Sequence, residues 1–386
     1  MKIPYSLPFT GEEEIEEVAA AIRSKWLSRG ARTIEFEAEF ARSVDSPFAI
    51  GLHSCTAGLY LSLSASGIGP GDEVITTPYT FVSTVNSIIH CGATPVFVDI
   101  DPVTLNIDCE KIESRITERT KAIIPVHFAG FPCEMDRIMA IADQYKLFVI
   151  EDAAHAVYTK YNAKPVGSIG HLTCFSFYAT KNLAMGEGGA VTTADEELAE
   201  KIRIRSLHGM SKNAWNRYSE KGSWYYEVEY PGYKYNMTDI QASLGLAQLR
   251  KLEQMQFLRK KWADRYTEAF RDREELIVPY DSTEHRHAWH LYVIRLNENR
   301  LTITRNEFID RLREAGVGTS VHFIPVPCHP YYRNLGYKIE DYPESWKAFQ
   351  SAISLPLYPG LTEEEVDYVI EQVLHITSNH QNFYAD

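Results

Sequence analysis

One lysine in the middle of the chain stands where a reactive amine would be useful. Residues 175–181 read Phe-Ser-Phe-Tyr-Ala-Thr-Lys, so an apolar and aromatic stretch delivers Lys181 toward what should be the interior. Burial of an unpaired charge is costly, and long basic side chains usually keep their heads in water. Lys181 is therefore either the solvated end of an ordinary strand or a buried amine. A buried amine has a lowered pKa and is a nucleophile toward carbonyl groups.

A second segment has the composition of an anion-binding turn. Residues 54–59 read Ser-Cys-Thr-Ala-Gly-Leu and follow a short apolar run. Small residues at the start of a helix leave backbone N–H groups uncovered, and the helix dipole attracts an anion there. The pattern indicates either a phosphate site, to which Thr56 adds a hydroxyl group, or a tight strand-to-helix turn with a Ser or Thr cap.

A third segment places acids at the end of an apolar run. Residues 149–156 read Val-Ile-Glu-Asp-Ala-Ala-His-Ala, and strand alternation points one of Glu151 and Asp152 inward. A helix cap and a metal-binding acid are both common at such a place. Asp152 gains a catalytic interpretation only if a cation pairs with it.

The three segments together match the requirements of one cofactor. Pyridoxal phosphate needs a cradle for its phosphate, a carboxylate for its pyridine nitrogen and a lysine for its Schiff base. A helix start, an acid at a strand end and Lys181 supply one of each.

The surrounding pattern predicts the elements that would bring these residues together. From residue 48 to about 207, short and nearly continuous apolar runs alternate with helical patterns. This alternation favours an α/β fold with a mostly parallel sheet covered on both faces. The carboxyl ends of parallel strands share one edge of the sheet, where ligands tend to bind. Residues 172–179 and 188–193 read as strands that flank Lys181.

The second half of the chain predicts an interface segment and a smaller domain. Residues 208–235 lack clear periodicity and are crowded with aromatic residues, which is typical of a functional or interface segment; they are Trp215, Tyr218, Trp224, Tyr225, Tyr226, Tyr230, Tyr233 and Tyr235. Residues 237–270 read as one long helix. We predict a large cofactor-binding domain over residues 1–255 and a small α+β domain over residues 256–386.

Composition excludes several classes of partner. The formal net charge is −13, and no basic run appears, which argues against nucleic acid and anionic membranes. The first residues lack the pattern of a signal peptide. Six cysteines form neither a CxxC pair nor a metal-ligand spacing, so free thiols, a cytoplasmic location and no metal site are expected.

The chain resembles the DegT/DnrJ/EryC1/StrS sugar aminotransferases along nearly its whole length. The resemblance is carried by eight motifs in the family's order, which are SCTAGL, PYTFVST, EDAAHA, FSFYATKN, GEGG, GYKYNMTDIQASLG, HFIPVPCHPYY and SLPLYPGLTEEEVDYVI. It implies the type I fold of pyridoxal-phosphate enzymes, with a large α/β domain and a smaller α+β domain.

The resemblance also implies roles for cofactor-binding residues. Lys181 corresponds to the lysine that forms the Schiff base and carries the proton between cofactor and substrate carbons. Asp152 corresponds to the acid that keeps the pyridine nitrogen protonated. Thr56, Ala57 and Ser176 correspond to residues that bind the phosphate.

Further residues correspond to positions around the ring and at a subunit boundary. Phe81 corresponds to the aromatic residue that stacks on the cofactor ring, and His155 to a residue close to its 3-hydroxyl group. In many relatives asparagine stands where this chain has Lys234, a position that reaches the neighbouring subunit's phosphate. The resemblance leaves open whether Lys234 or Asn236 makes this contact.

Two histidines of the smaller domain, His322 and His329, correspond to residues near the sugar nucleotide. Each is equally compatible with an ordinary core or surface histidine.

The resemblance implies transfer of an amino group from L-glutamate to the C3 or C4 keto carbon of a nucleotide-linked sugar. It also implies a homodimer with shared active sites. Surface polysaccharide, lipid A and antibiotic sugars are the expected products. EDAAHA with GYKYN is most similar to enzymes that act on a UDP-linked 4-ketopentose in lipid A modification. The alternatives are a pyridoxal-phosphate-dependent sugar dehydratase, in which histidine replaces the lysine, and a non-catalytic regulatory or binding protein on this fold. Lys181 favours transamination.

Overall fold

A mostly parallel sheet forms the centre of the larger part of the molecule. The computed structural model describes residues 1–210 and 225–382. The strands are β1 Phe48–Leu52, β2 Glu73–Thr76, β3 Thr94–Phe97, β4 Thr120–Ile124, β5 Phe148–Asp152, β6 Lys160–Tyr161, β7 Lys164–Pro165, β8 Leu172–Ser176, β9 Gly189–Thr193, β10 Leu276–Ile277, β11 Tyr292–Leu296 and β12 Ala352–Leu355. The central sheet has the order β1-β9-β8-β5-β4-β2-β3, and β9 runs antiparallel to both of its neighbours. The predicted α/β fold with a mostly parallel sheet is confirmed.

Helices cover both faces of this sheet. They are α1 Glu12–Arg23, α2 Ala31–Ser43, α3 Cys55–Ala65, α4 Val82–His90, α5 Met135–Tyr145, α6 Glu196–Arg205, α7 Asp239–Arg250, α8 Leu252–Phe270, α9 Arg305–Glu314, α10 Pro330–Asn334, α11 Pro343–Ser351 and α12 Glu363–Asn379. On one face, Leu59 of α3 and Ile202 of α6 pack with the strands. On the other face, Phe36 of α2 and Leu246 of α7 pack against Phe175. Both faces are apolar, which is why the strands read as continuous apolar runs.

A second apolar core lies in the carboxyl-terminal part of the chain. The sheet β10-β11-β12 packs against α8, α9 and α12 around residues such as Tyr266, Phe308 and Val373. Ile3 belongs to this core, although it comes from the other end of the chain. The N–H of Ile3 donates to the carbonyl oxygen of Gly316 at 2.9 Å, and the N–H of Gly318 donates to that of Ile3 at 2.8 Å.

The predicted long helix over residues 237–270 is divided into α7 and α8. Lys251 has φ −106° and ψ 11°, which interrupts the helix between the two. Leu252 and Met255 pack in the core under the sheet, while Trp262 and Tyr266 pack in the second core. The division into domains at residues 255 and 256 stays a prediction.

Part of the predicted aromatic segment lies outside the described residues, namely Trp215, Tyr218 and Trp224. Its described end exposes Tyr225, Tyr226 and Tyr230. Tyr233 and Tyr235 instead stack on each other with ring centroids 4.9 Å apart and pack against the core beside α3. No helix among the described residues is long and apolar enough to cross a membrane.

Candidate active site

A cavity of about 420 Å³ opens at the edge of the sheet where the parallel strands end. Asp152 ends β5 and Ser176 ends β8, and both line it. The segments after β1 and β2 contribute Thr56 and Phe81 to the same wall. The opposite side is closed by Leu355 and Leu357 of the second core together with His290 and His322. The cavity therefore lies between the two apolar cores, at the edge that strand direction predicted.

Lys181 lies in the turn that follows β8, and its side chain enters this cavity. Its backbone N–H donates to the carbonyl oxygen of Tyr178 at 2.9 Å, which fixes the turn. The side chain is half-buried because it borders the cavity, and the cavity itself lies deep in the protein. Burial lowers the pKa of Lys181 to about 8, and the neighbouring Cys55 and Asp152 partly oppose this shift. A neutral amine is thus accessible near neutral pH, which contradicts the alternative of a solvated strand end.

Asp152 is buried at the end of β5 and is held by two hydrogen bonds. The Thr84 hydroxyl donates to its Oδ2 at 2.7 Å, and the N–H of Ala154 donates to its Oδ1 at 3.1 Å. Burial raises the pKa of Asp152, and these two hydrogen bonds together with the charge of Lys181 partly oppose that rise. A cation placed beside this carboxylate would restore its charge, since an opposite charge favours the ionised form.

The neighbouring Glu151 points away from the cavity into a buried hydrogen-bond network. Its Oε1 accepts from Thr173 at 2.7 Å and from the N–H of Gly170 at 2.8 Å, and its Oε2 lies 2.9 Å from Nε2 of His127. Of the two acids, Asp152 is thus the one that alternation turns toward the site.

The turn that precedes α3 has free N–H groups and room for an anion. Ser54 caps the helix, because its hydroxyl accepts from the N–H of Ala57 at 3.1 Å. Within the described residues, the N–H of Thr56 has no acceptor, as expected for the first turn of a helix. Gly189 passes so close that a Cβ atom there would lie 2.4 Å from the carbonyl carbon of Ser54. The glycine of the GEGG motif is therefore required by the position of this turn.

Two imidazoles, His155 and His290, lie in contact in the wall of the cavity, with centroids 4.4 Å apart and ring planes tilted by 38°. Both are buried. Burial is the main reason that the pKa of each lies well below its ordinary value, and the charge of Lys181 adds to this. Both rings are therefore neutral at physiological pH.

The second core adds His322 and Tyr5 to the wall. The Nδ1 atom of His322 lies 2.8 Å from the hydroxyl oxygen of Ser354, and its ring stacks on Tyr5 at 5.8 Å. Burial, with a smaller contribution from Lys181, lowers the pKa of His322 to about 4. Burial also raises the pKa of Tyr5, so that its hydroxyl group stays protonated.

The structure gathers most of the predicted site residues in one place. Those that line the cavity are Thr56, Phe81, Asp152, His155, Ser176, Lys181 and His322. Among the described residues, Ala57 stays behind the wall with its N–H occupied by Ser54.

Three predicted residues lie away from the cavity. Lys234 is exposed, Asn236 is buried with its amide donating to the carbonyl oxygen of Met237 at 3.0 Å, and His329 is the residue before α10. The roles of Lys234 and Asn236 at a neighbouring subunit's phosphate stay predictions.

Several cavity residues were not predicted from the sequence. Tyr5 and His290 lie outside the quoted motifs, and Thr84, which holds Asp152 without lining the cavity, ends the PYTFVST motif but received no predicted role. Thr84 lies three residues after Phe81, one helical turn into α4, and this spacing is the one signal that could have suggested it. Asn182 directly follows Lys181, and its side chain contacts His290.

The residues present fit pyridoxal phosphate. The orphaned N–H of Thr56 and the hydroxyl group of Ser176 suit its phosphate, and Asp152 suits its pyridine nitrogen. Lys181, with a pKa of about 8, suits the covalent bond to its aldehyde. The exposed ring of Phe81 at the cavity suits stacking on the pyridine ring.

Comparison with known proteins leads to the same conclusion over nearly the whole chain. The model of the DegT/DnrJ/EryC1/StrS aminotransferase family matches residues 8–374. The spore coat polysaccharide biosynthesis protein SpsC of Bacillus subtilis (strain 168) is 58% identical over 376 residues, which cover 97% of this chain and 97% of that protein.

Solved structures of aminotransferases are similar to this chain over nearly its whole length. Spr1654 from Streptococcus pneumoniae in its PLP form is 36% identical with a TM-score of 0.92, and the match covers 98% of this chain and 99% of that chain. PseC of Helicobacter pylori, an aminotransferase involved in the biosynthesis of pseudoaminic acid, is 30% identical with a TM-score of 0.92; the match covers 98% of this chain and 100% of that chain.

Proposed function

Because the chain belongs to the DegT/DnrJ/EryC1/StrS aminotransferase family and is a pyridoxal-phosphate-dependent sugar aminotransferase, we propose that its acceptor is a nucleotide-linked ketosugar and its donor L-glutamate. The observation that carries this proposal is the shape of the site. A cavity of about 420 Å³ suits the cofactor with a sugar ring, and Phe81 and Tyr178 expose large parts of their rings beside it. Aromatic rings at such a place can pack against a nucleoside that extends outward.

When bound, the cofactor supplies an electron sink that lets a proton leave a carbon atom next to the transferred nitrogen. Lys181 holds or releases that proton at Nζ, since a pKa of about 8 makes both states available. The carboxylate of Asp152, which Thr84 and the N–H of Ala154 orient, would hold the pyridine nitrogen of the cofactor. Thr56 and Ser176 anchor the phosphate. The neutral imidazoles of His155 and His322 orient polar groups of the ligands without adding charge.

The same proposal includes a homodimer with shared sites. Tyr225, Tyr226 and Tyr230 are exposed on the described end of the aromatic segment. Contiguous exposed aromatic surface is typical of an interface. A second copy would cover these rings and would bring its own Lys234 or Asn236 toward the phosphate.

The proposed product is an aminosugar for a surface polysaccharide. Support comes from SpsC, whose name places that relative in spore coat polysaccharide biosynthesis. The proposed location is the cytoplasm, on the ground that all six cysteines are free thiols.

The substrate proposal is tested by incubating the holoenzyme with L-glutamate and a panel of UDP-, dTDP- and GDP-linked 3-keto and 4-keto sugars, with product detection by mass. One nucleotide-linked sugar should gain an amino group, and the free ketosugar should react far more slowly because it lacks the nucleotide contacts. The Lys181→Ala variant serves as the matched control for non-enzymatic reaction. Equal rates with free and nucleotide-linked sugar would contradict the proposal.

A further inference from the structure

A side-chain relay connects the residue after Lys181 to the second core. The amide Nδ2 of Asn182 donates to the carbonyl oxygen of Ala288 at 2.7 Å. This bond fixes the orientation of the amide, so Oδ1 of Asn182 is the acceptor in its 3.0 Å contact with Nδ1 of His290. His290 must therefore carry its proton on Nδ1, since the contact needs a donor.

The same reasoning gives His155 the opposite tautomer. Its Nδ1 atom accepts from the backbone N–H of Ala129 at 3.3 Å, so its proton resides on Nε2. The carbonyl oxygen of Ala129 in turn accepts from the N–H of His290 at 2.9 Å. Ala129 thus contacts the ring of His155 and the backbone of His290, and the two rings together present a donor from His155 and an acceptor from His290.

Two groups in the cavity have unmatched hydrogen-bonding capacity. Within the described part of the chain, Nε2 of His290 has no donor and the amine of Lys181 has no acceptor, although both residues line the same cavity. Asp152 lines the same cavity, and its two oxygens already accept from Thr84 and from the N–H of Ala154, although each keeps a further lone pair. The tautomer of His322 is not fixed, because the Ser354 hydroxyl can either donate or accept.

We propose that His290 is a positioning residue for Lys181, whose free ammonium donates a hydrogen bond to the neutral Nε2 of His290. The lysine chain has four rotatable bonds, and both residues line one cavity of about 420 Å³. The contact holds the ammonium at the moment when Lys181 carries a proton and is not bound to cofactor. This inference concerns the lysine of the aminotransferase and does not depend on which sugar is the substrate.

Other titratable groups line the same cavity as Lys181 and contribute to the electrostatic potential at its amine. They are Cys55 from α3, Asp152 and His155 from β5 and the turn after it, Glu187 from the loop before β9, and His322 from the second core. The phenols of Tyr5 and Tyr178 also line the cavity. The neutral acceptor of His290 adds to the two groups that raise the pKa of Lys181, Cys55 and Asp152.

Two substitutions at His290 distinguish loss of its Nε2 acceptor from loss of its hydrogen bond to Asn182. In His290→Asn the side-chain amide can still donate to Asn182, but its oxygen falls short of the Nε2 position. In His290→Gln an oxygen can reach that position while the link is lost. His287→Asn is the matched control, because His287 is buried two residues away and stacks on Trp289 outside the described lining of the cavity.

The measurement is the pH midpoint at which Lys181 reacts with a neutral aldehyde and cyanoborohydride in the cofactor-free full chain, read by peptide mass. Loss of a hydrogen bond to a charged group should lower this midpoint by about one pH unit in His290→Asn. His290→Gln and His287→Asn should stay near the wild-type value. An unchanged midpoint in His290→Asn, or an equal shift in His290→Gln, would overturn the proposal.

A second measurement needs no variant at the site. Two-bond ¹H–¹⁵N spectra of the wild-type chain with labelled histidine distinguish the Nδ1–H tautomer from the Nε2–H tautomer. His290 should have the first and His155 the second. Finding the proton of His290 on Nε2 would remove the acceptor that His290 offers to Lys181 and would refute the inference even if the variants did not fold.

Discussion

Gly189→Ala is expected to weaken cofactor binding without removing any group that contacts the cofactor. The added Cβ atom would lie 2.4 Å from the carbonyl carbon and 2.6 Å from the carbonyl oxygen of Ser54, and 2.5 Å from the nitrogen of Cys55. Non-bonded carbon atoms prefer about 3.5 Å or more, so the turn before α3 would have to move by about 1 Å. These atoms belong to the backbone and cannot rotate away.

The size of the effect follows from what that turn does. A hydrogen bond to a charged group contributes about 1.5–3 kcal/mol, and it weakens steeply when its donor leaves the range of about 2.7–3.2 Å. Displacement of the Thr56 N–H by about 1 Å should therefore raise the dissociation constant of pyridoxal phosphate about 10- to 100-fold. Overpacking should also lower the free energy of unfolding by about 1–3 kcal/mol.

The assay is a titration of the cofactor-free chain with pyridoxal phosphate, followed by visible absorbance, together with thermal melting. Gly360→Ala is the control, since its Cβ would meet its nearest neighbour, an atom of Phe9, at an ordinary 3.8 Å. A dissociation constant within about twofold of wild type, with a clear loss of melting temperature, would show that the turn bends without being the phosphate site.

Three more predictions concern charge and assembly. Asp152→Asn should keep bound cofactor but lose turnover by about a hundredfold or more, because a charge-paired partner is removed; near-normal turnover would assign the acid another role. In the cofactor-free chain, the rate of Lys181 with a neutral aldehyde should rise with pH and level off above about 8, where the amine is already neutral; a rise that continues toward pH 10 would indicate a solvated lysine. If sites are shared and Lys234→Ala alone is impaired, mixing it with Lys181→Ala under verified subunit exchange should restore about a quarter of wild-type activity; no recovery would mean that each site is built from one chain.

The sequence was most informative about the candidate site residues that lie next to the end of a strand. Lys181, Asp152 and Thr56 each belong to a short motif whose position in the α/β pattern predicts the edge they reach. The relay from Asn182 to His290 could not be predicted, because it joins residues 108 positions apart and depends on the docking of the second core.

Boundaries of elements were predicted less well than their types. The apolar periodicity from residue 237 to 270 is unbroken, so nothing in it marks the interruption at Lys251. That interruption redirects α8 from one core to the other, which is a property of packing and not of local preference.

The position of Ile3 has a consequence for how the chain folds. The core around β10, β11 and β12 takes its other residues from position 262 onward, yet it buries Ile3 with 1% of its surface exposed. The contact with Ile3 joins distant parts of the chain, and a contact that closes a long loop costs more chain entropy than a local one. A fragment of residues 256–386 made alone would lack this side chain and leave a hole worth about 2–5 kcal/mol. The core of the carboxyl-terminal part therefore depends on the first residues of the chain for its stability. The same short segment carries Tyr5, which lines the active-site cavity.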